Sequence, residues 1–295
     1  MIAFLFLIVL FSLPAAAQNK PLSTQIVYAE QDSVLLMKLL DEFKPRQNLR
    51  TGKLMVEMGK KLLGKPYPDH IPVTLGGKPP ADTGVINTTE KLLVKLNTLD
   101  CVTFTENCLA MARTVKSDNP TFEQFVIELE KIRYRDGKMD GYASRLHYFS
   151  DWIYDNAQRD LLTLPKVKGQ QPIKFNIHFM TSRPDNYPVL KANPEIRSQI
   201  ASTEKIISDR RWQYIKNEDI AASEDDLQEG DIVGLVTNVR GLDMIHAGML
   251  VRLNGRIHML HASTTHKRVV ITYTPLADYL ATKKTITGMI VARPK

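Results

Sequence analysis

The spacing of apolar residues changes near the middle of this chain, from a helical period to a strand period. Up to about residue 165, the pattern predicts helices over about 32–43, 49–63, 120–134 and 144–156, and one that begins at Cys101. From about residue 166, short β-rich runs follow at 173–180, 231–239, 245–253, 256–262, 269–273 and 287–293. This order predicts an α+β fold in which N-terminal helices pack on a mainly antiparallel β-sheet.

The N-terminus has the features of a secretory signal peptide over residues 1–17. Residues 1–13 are almost continuously apolar, and Pro14-Ala15-Ala16-Ala17 supplies small residues for cleavage, although the usual lysine or arginine is absent. The run is too short to span a bilayer, so no integral membrane association is expected. We predict a secreted, periplasmic protein. Its residues 18–295 would form one α+β domain, helical over about 30–165 and β-rich over about 166–295.

The formal net charge of +7 limits the choice of partner without identifying it. The lysines and arginines are dispersed, with no basic run interleaved with aromatic residues, so nucleic-acid binding is not predicted. A basic surface suits an anionic polymer such as the bacterial cell wall. It equally suits a soluble basic protein that has no such partner.

The two cysteines of the chain, Cys101 and Cys108, lie on one predicted helix. At about 1.5 Å of rise per residue they are about 10 Å apart, beyond the roughly 7 Å that a disulfide spans, so we expect free thiols. Cys108, one turn past Phe104, is predicted to be a core residue. Asp100 is a good N-cap and puts Cys101 at the first helical position, where free N–H groups and the helix dipole favour a thiolate. Cys101 is therefore the candidate nucleophile.

Asn254-Gly255 is a strong signal for a two-residue turn between two β-rich runs. In the register that this turn sets, His246 and His261 lie diagonally on one face, within roughly 7–8 Å. One imidazole can then orient the other. His258 points to the opposite face. A three-residue loop or a bulge would shift the register, and His258 would then replace His261 as the partner of His246.

Cysteine hydrolases use a thiol together with histidines, and this chain has a candidate thiol followed by two histidines on one strand face. The sulfur attacks a carbonyl, one histidine takes and returns the proton, and a third polar residue holds the ring. The spacing of His258, His261 and His266 does not suit a metal site, and we expect no metal and no cofactor. The alternative is a binding protein in which Cys101 is an incidental buried thiol.

Short blocks distributed over most of the chain carry a family resemblance. One set is Asp100-Cys101, Gly230-Asp231-Ile232-Val233, His246-Ala247-Gly248-Met249-Leu250 and His261-Ala262-Ser263. A second set is Leu63-Gly64-Lys65-Pro66-Tyr67, the residues 99–104, 132–137 and 144–152, and Gly241-Leu242-Asp243. The first set resembles the NlpC-type, papain-like superfamily of cell-wall peptidases. The second resembles, more narrowly, its N-acetylmuramoyl-L-alanine amidase-like branch.

The resemblance implies a peptidoglycan-derived substrate and a catalytic triad. Cys101 would be the nucleophile, His246 the general base and acid, and His261 the orienting residue. The substrate-binding residues implied or suggested are Tyr67, Asp100, Thr103, Arg145 and His147. Val102-Thr103 departs from the Ser-Gly that follows the cysteine in most relatives, which indicates a distinct specificity.

Three of these substrate-binding residues have a stated chemical role. Tyr67 stands where relatives carry a tyrosine that lines the site. Arg145, expected with His147 on the aromatic-rich helix at 144–156, would bind a carboxylate in bidentate fashion. Asp100 would face a substrate amine in addition to capping its helix.

We predict a secreted cysteine amidase that hydrolyses the N-acetylmuramoyl-L-alanine bond of peptidoglycan or of released muropeptides. A first alternative is an endopeptidase with the same triad that cuts between D-glutamate and the diamino acid. A second is a non-catalytic muropeptide-binding protein, and an acyltransferase on the same scaffold is a weaker option. The oligomeric state and the length of sugar and peptide stay open.

Overall fold

The computed structural model describes residues 26–68 and 89–295 of the 295-residue chain. The predicted signal peptide at 1–17 lies outside these ranges. So does most of the segment 67–88, whose content of proline, glycine and aspartate predicts a long loop. Within the two ranges, no helix combines the length and the apolar character needed to cross a membrane.

The first half of the described chain consists mainly of helices. In chain order, its elements are β1 (Ile26–Tyr28), α1 (Glu30–Phe43), α2 (Thr51–Lys61), β2 (Leu92–Val94), α3 (Cys101–Val115), α4 (Phe122–Arg133) and α5 (Phe149–Gln158). The two short strands pair in parallel and were not predicted. All five predicted helices are present. The predicted stop after α2 is also confirmed, because Gly64 has a left-handed φ of 81°.

Helix α4 begins later than the sequence predicted. The N-cap is Thr121, whose hydroxyl accepts a hydrogen bond from the Gln124 N–H at 3.2 Å. The prediction used Asn119 as the cap and Pro120 as the first helical residue. That prediction is wrong because a hydroxyl two residues further on satisfies a free N–H group of the first turn.

Helix α5 also begins later, at Phe149 rather than near Ser144. Ser144 belongs to a single 3₁₀ turn, and the backbone is extended at Arg145 and again at Tyr148, the N-cap. The prediction that Arg145 and His147 lie on a helix is therefore wrong. Both residues belong to the non-helical connection that leads into α5.

The second half of the described chain forms a mainly antiparallel sheet with helices between its strands. Its elements are β3 (Leu162–Thr163), β4 (Gln170–Lys174), α6 (Pro188–Ala192), α7 (Pro194–Asp209), β5 (Arg211–Lys216), α8 (Ile220–Ser223), β6 (Ile232–Thr237), β7 (Met244–Leu253), β8 (Arg256–Ser263), β9 (Arg268–Ile271), α9 (Leu276–Ala281) and β10 (Ile286–Pro294). The strand order is β4-β5-β10-β6-β7-β8-β9, and β3 pairs with β10. The fold is thus mixed α/β with a mainly antiparallel sheet.

The expectation of a β-rich second half missed the 16-residue helix α7. Asn193 caps this helix and Pro194 is its first residue, a start signal that the sequence contained. The helix is held by the buried Glu204, which accepts a hydrogen bond from the Tyr148 hydroxyl at 2.6 Å. The strand predicted at 173–180 is shorter than expected and ends at Lys174.

Helix α3 is the central element of the fold. Every residue from 104 to 112 is buried, so this part of the helix is enclosed on all sides rather than packed along one stripe. It packs against α2 and α4 and against β7 and β8. This enclosure holds the N-terminal end of α3, with Cys101, firmly against β7.

Candidate active site

Cys101 is the first residue of α3, and Asp100 caps the helix. The Asp100 carboxylate accepts hydrogen bonds from the N–H groups of Val102 at 2.9 Å and Thr103 at 2.8 Å. The Thr103 hydroxyl accepts one from the Asp100 N–H at 3.0 Å. This reciprocal capping box confirms the predicted N-cap. The backbone N–H of Ala247, on β7, lowers the pKa of the Cys101 thiol, which places Cys101 next to this strand.

The Cys101 thiol is fully buried. Burial raises its pKa, and the neighbouring Asp100 carboxylate raises it further. The N–H groups of Ala247, Cys101 and Val102 lower the pKa, but by less. The prediction of a thiolate at the helix N-terminus is therefore wrong for the resting protein, because lost hydration outweighs the helix dipole. Cys108 is also buried, and both thiols are free, as predicted.

The β7–β8 hairpin has the predicted two-residue turn. Asn254 and Gly255 have positive φ values of 49° and 80°, which a type I′ turn requires. Val251 pairs with His258, in the predicted register. His258 is buried, and its Nδ1–H donates to the Thr272 carbonyl at 2.8 Å. The His258 ring therefore forms its hydrogen bond on the other side of the sheet, away from His246.

His246 and His261 contact each other on one face of the hairpin. The Nε2 of His246 lies 2.6 Å from the Nδ1 of His261, and the rings stand at 89° with centroids 4.8 Å apart. The predicted placement of the two histidines on one face is confirmed. Of the two candidates for orienting His246, the structure brings His261 and not His258 to it.

Two backbone features allow this contact. The β6–β7 register shifts by one residue between His246 and Met244, which leaves Ile245 as a bulge. Bulges re-aim the side chains beside them. Gly248 leaves room for the partner ring, because a Cβ atom at this position would lie 3.0 Å from the His261 Cβ and 2.9 Å from the Met259 Cγ.

Burial keeps both imidazoles of the pair uncharged. It lowers the pKa of His246 to about 4, with a smaller contribution from Lys283. It also lowers the pKa of His261 well below the ordinary value, and His246, His266 and Lys283 lower it further. The resting site therefore combines a neutral thiol with two neutral imidazoles. In the described ranges, no three His, Cys, Asp or Glu side chains are grouped to hold a metal ion.

Tyr67 is buried close to Cys101 and Asp100. Burial raises the pKa of its hydroxyl, and the charges that Cys101 and Asp100 can carry raise it further. The Tyr67 N–H donates to the Lys267 carbonyl at 2.8 Å, which ties this segment to the β8–β9 connection. Within the described residues, its hydroxyl has no hydrogen-bond partner. The structure thus brings the predicted tyrosine to the cysteine.

A cavity of about 480 Å³ opens beside the start of α3. Four of the predicted substrate-binding residues lie in its walls, namely Asp100, Thr103, Arg145 and His147. Val102 and Pro68 also line it, so the cavity borders the neighbours of both Cys101 and Tyr67. The structure therefore gathers the predicted binding residues around one space next to the candidate nucleophile.

Arg145 and His147 have partners that the sequence did not reveal. Arg145 donates through Nε to the buried Glu90 carboxylate at 2.8 Å, and its guanidinium lies 5.6 Å from the centre of the Tyr142 ring. The Nε2–H of His147 donates to the Tyr142 carbonyl at 2.9 Å. Burial, with a smaller effect of Arg145, lowers the pKa of His147 to about 3. His147 is therefore a neutral imidazole.

The prediction missed an ion pair in the wall of the same cavity. Arg133 donates through Nε to Glu106 at 2.8 Å, and both side chains are more than nine-tenths buried. A signal was present in the sequence. Arg133 and Glu106 each stand within an apolar helical pattern, and a charged residue on a buried helix face requires a partner. Asn107, Lys91 and Lys95 also line the cavity and were not predicted.

Comparisons with known proteins identify a family model and several similar solved structures. The family model described as N-acetylmuramoyl-L-alanine amidase-like matches residues 57–287. The crystal structure of an N-acetylmuramoyl-L-alanine amidase from Bacteroides uniformis is 32% identical in sequence, with a TM-score of 0.73, over 83% of this chain and 99% of that chain. A Bacteroides fragilis protein provisionally described as a xylanase is 34% identical, with a TM-score of 0.69, over 80% and 98% of the two chains.

A more distant similarity extends to another genus. A Legionella pneumophila protein is 17% identical, with a TM-score of 0.62, and the match covers 90% of this chain and 95% of that chain. At this level of identity the likeness shows a shared fold alone. Among curated protein sequences, none matches the chain.

Proposed function

Since the chain belongs to the N-acetylmuramoyl-L-alanine amidase-like family, we propose that it is a cysteine amidase acting on the bond between the N-acetylmuramoyl group and L-alanine. Its substrate is peptidoglycan or a muropeptide released from it. The observation that carries the proposal is the 2.6 Å contact between His246 and His261. His246 precedes Ala247, whose backbone N–H lowers the pKa of Cys101. A thiol and a pair of coupled imidazoles are the groups that nucleophilic cleavage of an amide uses.

The hydrogen bond between the histidines sets the position of the mobile proton. If the Nε2–H of His246 donates to the Nδ1 of His261, the Nδ1 of His246 carries a lone pair and can act as a base. In the opposite arrangement, the proton of a neutral His246 would occupy Nδ1 and block that role. His261 therefore acts as the orienting residue by accepting from Nε2.

The first chemical step forms an acyl-enzyme. The Nδ1 of His246 takes the thiol proton as the Cys101 sulfur attacks the lactyl carbonyl carbon, and a tetrahedral oxyanion results. The Cys101 N–H is the donor at the start of α3 that the Asp100 side chain does not occupy, and we assign it to this oxyanion. Collapse breaks the C–N bond, and His246 returns the proton to the departing L-alanine nitrogen.

The second step releases the sugar acid. A water molecule gives its proton to His246 and attacks the thioester carbonyl, and the returning proton restores the Cys101 thiol. Because the pKa of Cys101 is raised and that of His246 is lowered to about 4, proton transfer accompanies attack. A preformed thiolate–imidazolium pair is not required.

The arrangement supports a papain-like assignment within one α+β domain of residues 18–295. A nucleophilic cysteine begins a buried helix, and the histidines follow on an antiparallel sheet that packs against it. The order along the chain is cysteine, base and orienting residue. Because peptidoglycan lies outside the cytoplasm, we also propose export to the periplasm, directed by the signal peptide predicted at residues 1–17.

One observation favours a second candidate, a non-catalytic muropeptide-binding protein. Cys101 is fully buried and its pKa is raised, as for an incidental core thiol. The endopeptidase that cuts between D-glutamate and the diamino acid would use the same residues and differs only in which bond the cavity presents. Turnover and its products separate the three.

The test is mass spectrometry of defined muropeptides incubated with the wild type, with Cys101→Ala and with Cys108→Ala. Peptide-free sugar together with a stem peptide beginning at L-alanine supports the amidase. Sugar that still carries L-alanine and D-glutamate identifies the endopeptidase. Cys101→Ala should form no product, whereas Cys108→Ala, the matched control, should retain activity. Binding without turnover by the wild type would establish the binding protein instead.

A further inference from the structure

Three residues that line the cavity each carry a buried polar atom that has no hydrogen-bond partner among the described residues. They are the Nη2 of Arg133, the Oδ1 of Asn107 and the Nδ1 of His147. Buried polar groups are nearly always paired in native proteins, and an unpaired one is costly. Three such atoms in the wall of one cavity indicate a bound polar ligand.

The partners of the neighbouring atoms define what each of the three can bind. The Asn107 Nδ2 donates to the Lys95 carbonyl at 2.9 Å, so Oδ1 is left as an acceptor. The His147 Nε2–H donates to the Tyr142 carbonyl, so Nδ1 is also an acceptor. Arg133 uses Nε for Glu106 and donates through Nη1 to the Leu93 carbonyl at 2.7 Å, and its unused Nη2 is a cationic donor.

The charge of the walls favours an anionic ligand group. The cationic side chains that line the cavity are those of Lys91, Lys95, Arg133 and Arg145. The acidic side chains that line it are those of Asp100 and Glu106. Glu106 is paired with Arg133, and Arg145 is paired with Glu90, which does not line the cavity. Lys91 and Lys95 are exposed and have no ion-pair partner in the described part of the chain.

We propose that Arg133 recognises a carboxylate on the peptide side of the substrate, through its unpaired Nη2. This inference rests on the proposed amidase function, because the cavity begins at Asp100 and Val102, on either side of Cys101. The carboxylate is that of L-alanine in a substrate that ends there, or that of D-glutamate when the stem is longer. Amide N–H groups of the same ligand are donors for His147 Nδ1 and Asn107 Oδ1.

The test compares each acid with its carboxamide. The probes are N-acetylmuramoyl-L-alanine and N-acetylmuramoyl-L-alanyl-D-glutamate, each with a counterpart in which the α-carboxylate is an amide. The wild type should show a kcat/KM about 10- to 100-fold higher for the acid, the range of a charge-assisted hydrogen bond. The acid–amide substrate pair in which the acid is cleaved faster identifies the residue whose carboxylate is bound. Equal kcat/KM for acid and amide in both pairs would overturn the proposal without any variant.

Variants that keep the buried charges balanced separate a loss of carboxylate binding from a loss of folding. Arg133→Gln with Glu106→Gln replaces the ion pair by a neutral one and leaves no buried lone charge. It should reduce the preference for acid to about 2-fold or less while the amide is still cleaved. Arg133→Lys, which keeps the charge, should retain part of the preference. The matched control is Arg113→Gln with Glu128→Gln, an α3–α4 ion pair outside the cavity walls, and it should keep the full preference.

Two further results separate this proposal from its rivals. Loss of the preference in Lys91→Gln with Lys95→Gln, on exposed positions, would overturn the assignment to Arg133. If the wild type cleaves none of the four compounds, the amidase proposal fails. The Arg133 proposal is then judged by calorimetry of both acids and their amides on the wild type. It survives only if one of the acids binds at least about 10-fold more tightly than its amide and the Arg133 and Glu106 double variant loses that difference.

Discussion

The Nε2 of His246 lies 2.6 Å from the Nδ1 of His261, although the two residues are 15 positions apart in sequence. The contact depends on a bulge at Ile245 and on the missing side chain at Gly248. One proton lies between two neutral rings, and its position decides which nitrogen of His246 is free. The pair thus controls the tautomer that a general base needs.

Replacement of His261 should therefore affect turnover more than binding. His261→Ala removes the acceptor for the His246 Nε2–H, and we expect kcat to fall about 100-fold or more with little change in KM. His261→Asn keeps an acceptor oxygen and should lose about 10-fold. Steady-state kinetics on a defined muropeptide gives both values. His258→Asn is the control, and its kcat should stay near that of the wild type, since His258 faces Thr272. A fully active His261→Ala would contradict the triad.

Alkylation by iodoacetamide should report the raised pKa of Cys101. Burial opposes the thiolate, so the labelling rate at Cys101 should increase only above the range of a free thiol, about 8.5. Mass spectrometry of peptides from protein labelled across a pH series would follow Cys101 and Cys108 separately. A labelling midpoint below pH 7 would reveal a thiolate–imidazolium pair instead. An incidental buried thiol would label in the same way, so turnover and not labelling separates enzyme from binding protein.

Acid should destabilise the fold through two half-buried histidines whose pKa the surrounding protein lowers. The pKa of His246 is about 4 in the folded state against 6.5 when unfolded, so the unfolded chain binds more protons between these values. Stability is fully present above pH 6.5 and falls as the pH drops toward 4, by about 3 kcal/mol from His246 alone. His147, with a pKa of about 3, acts in the same direction.

Urea unfolding at pH 7 and at pH 4.5 would measure this loss. His147→Gln should reduce the difference in unfolding free energy between the two pH values, because one buried titrating group is removed. His266→Gln, at an exposed position, should leave the difference almost unchanged. Equal stability of the wild type at the two pH values would show that these rings are not kept neutral by burial.

Gly248→Ala should disturb the site through a single methyl group. The added Cβ would approach the His261 Cβ to 3.0 Å, so the ring must shift away from His246. We expect kcat to fall about 10-fold and stability to fall by about 1–3 kcal/mol. Gly255→Ala in the same hairpin meets no neighbouring atom but has a φ of 80°. It should lose stability with kcat unchanged, and equal kcat losses in both variants would argue against a role for the contact.

Features determined by neighbours along the chain were accessible from the sequence. The Asp100 cap and the type I′ turn at Asn254-Gly255 follow from interactions over a few residues. The turn sets a register that favours His261 over His258 as the partner of His246, and the structure brings these two together. Hydroxyl caps and extended backbone act over the same range. Helices α4 and α5 begin later than predicted, because more than one nearby residue can cap the start of each helix.

The properties of the site depended on residues far apart in the chain. The Ala247 N–H acts on the Cys101 thiol, Glu90 pairs with Arg145, and Glu106 pairs with Arg133. The pKa of a side chain depends on how completely water is excluded from it, and this burial cannot be predicted from a short segment of sequence. By itself the sequence determined the kinds of helix, strand and turn, and which chemical groups each one presents. Only the tertiary structure decided that Cys101 is a buried neutral thiol and that Arg133 keeps an unpaired donor, because burial and ion pairing arise when distant segments pack together.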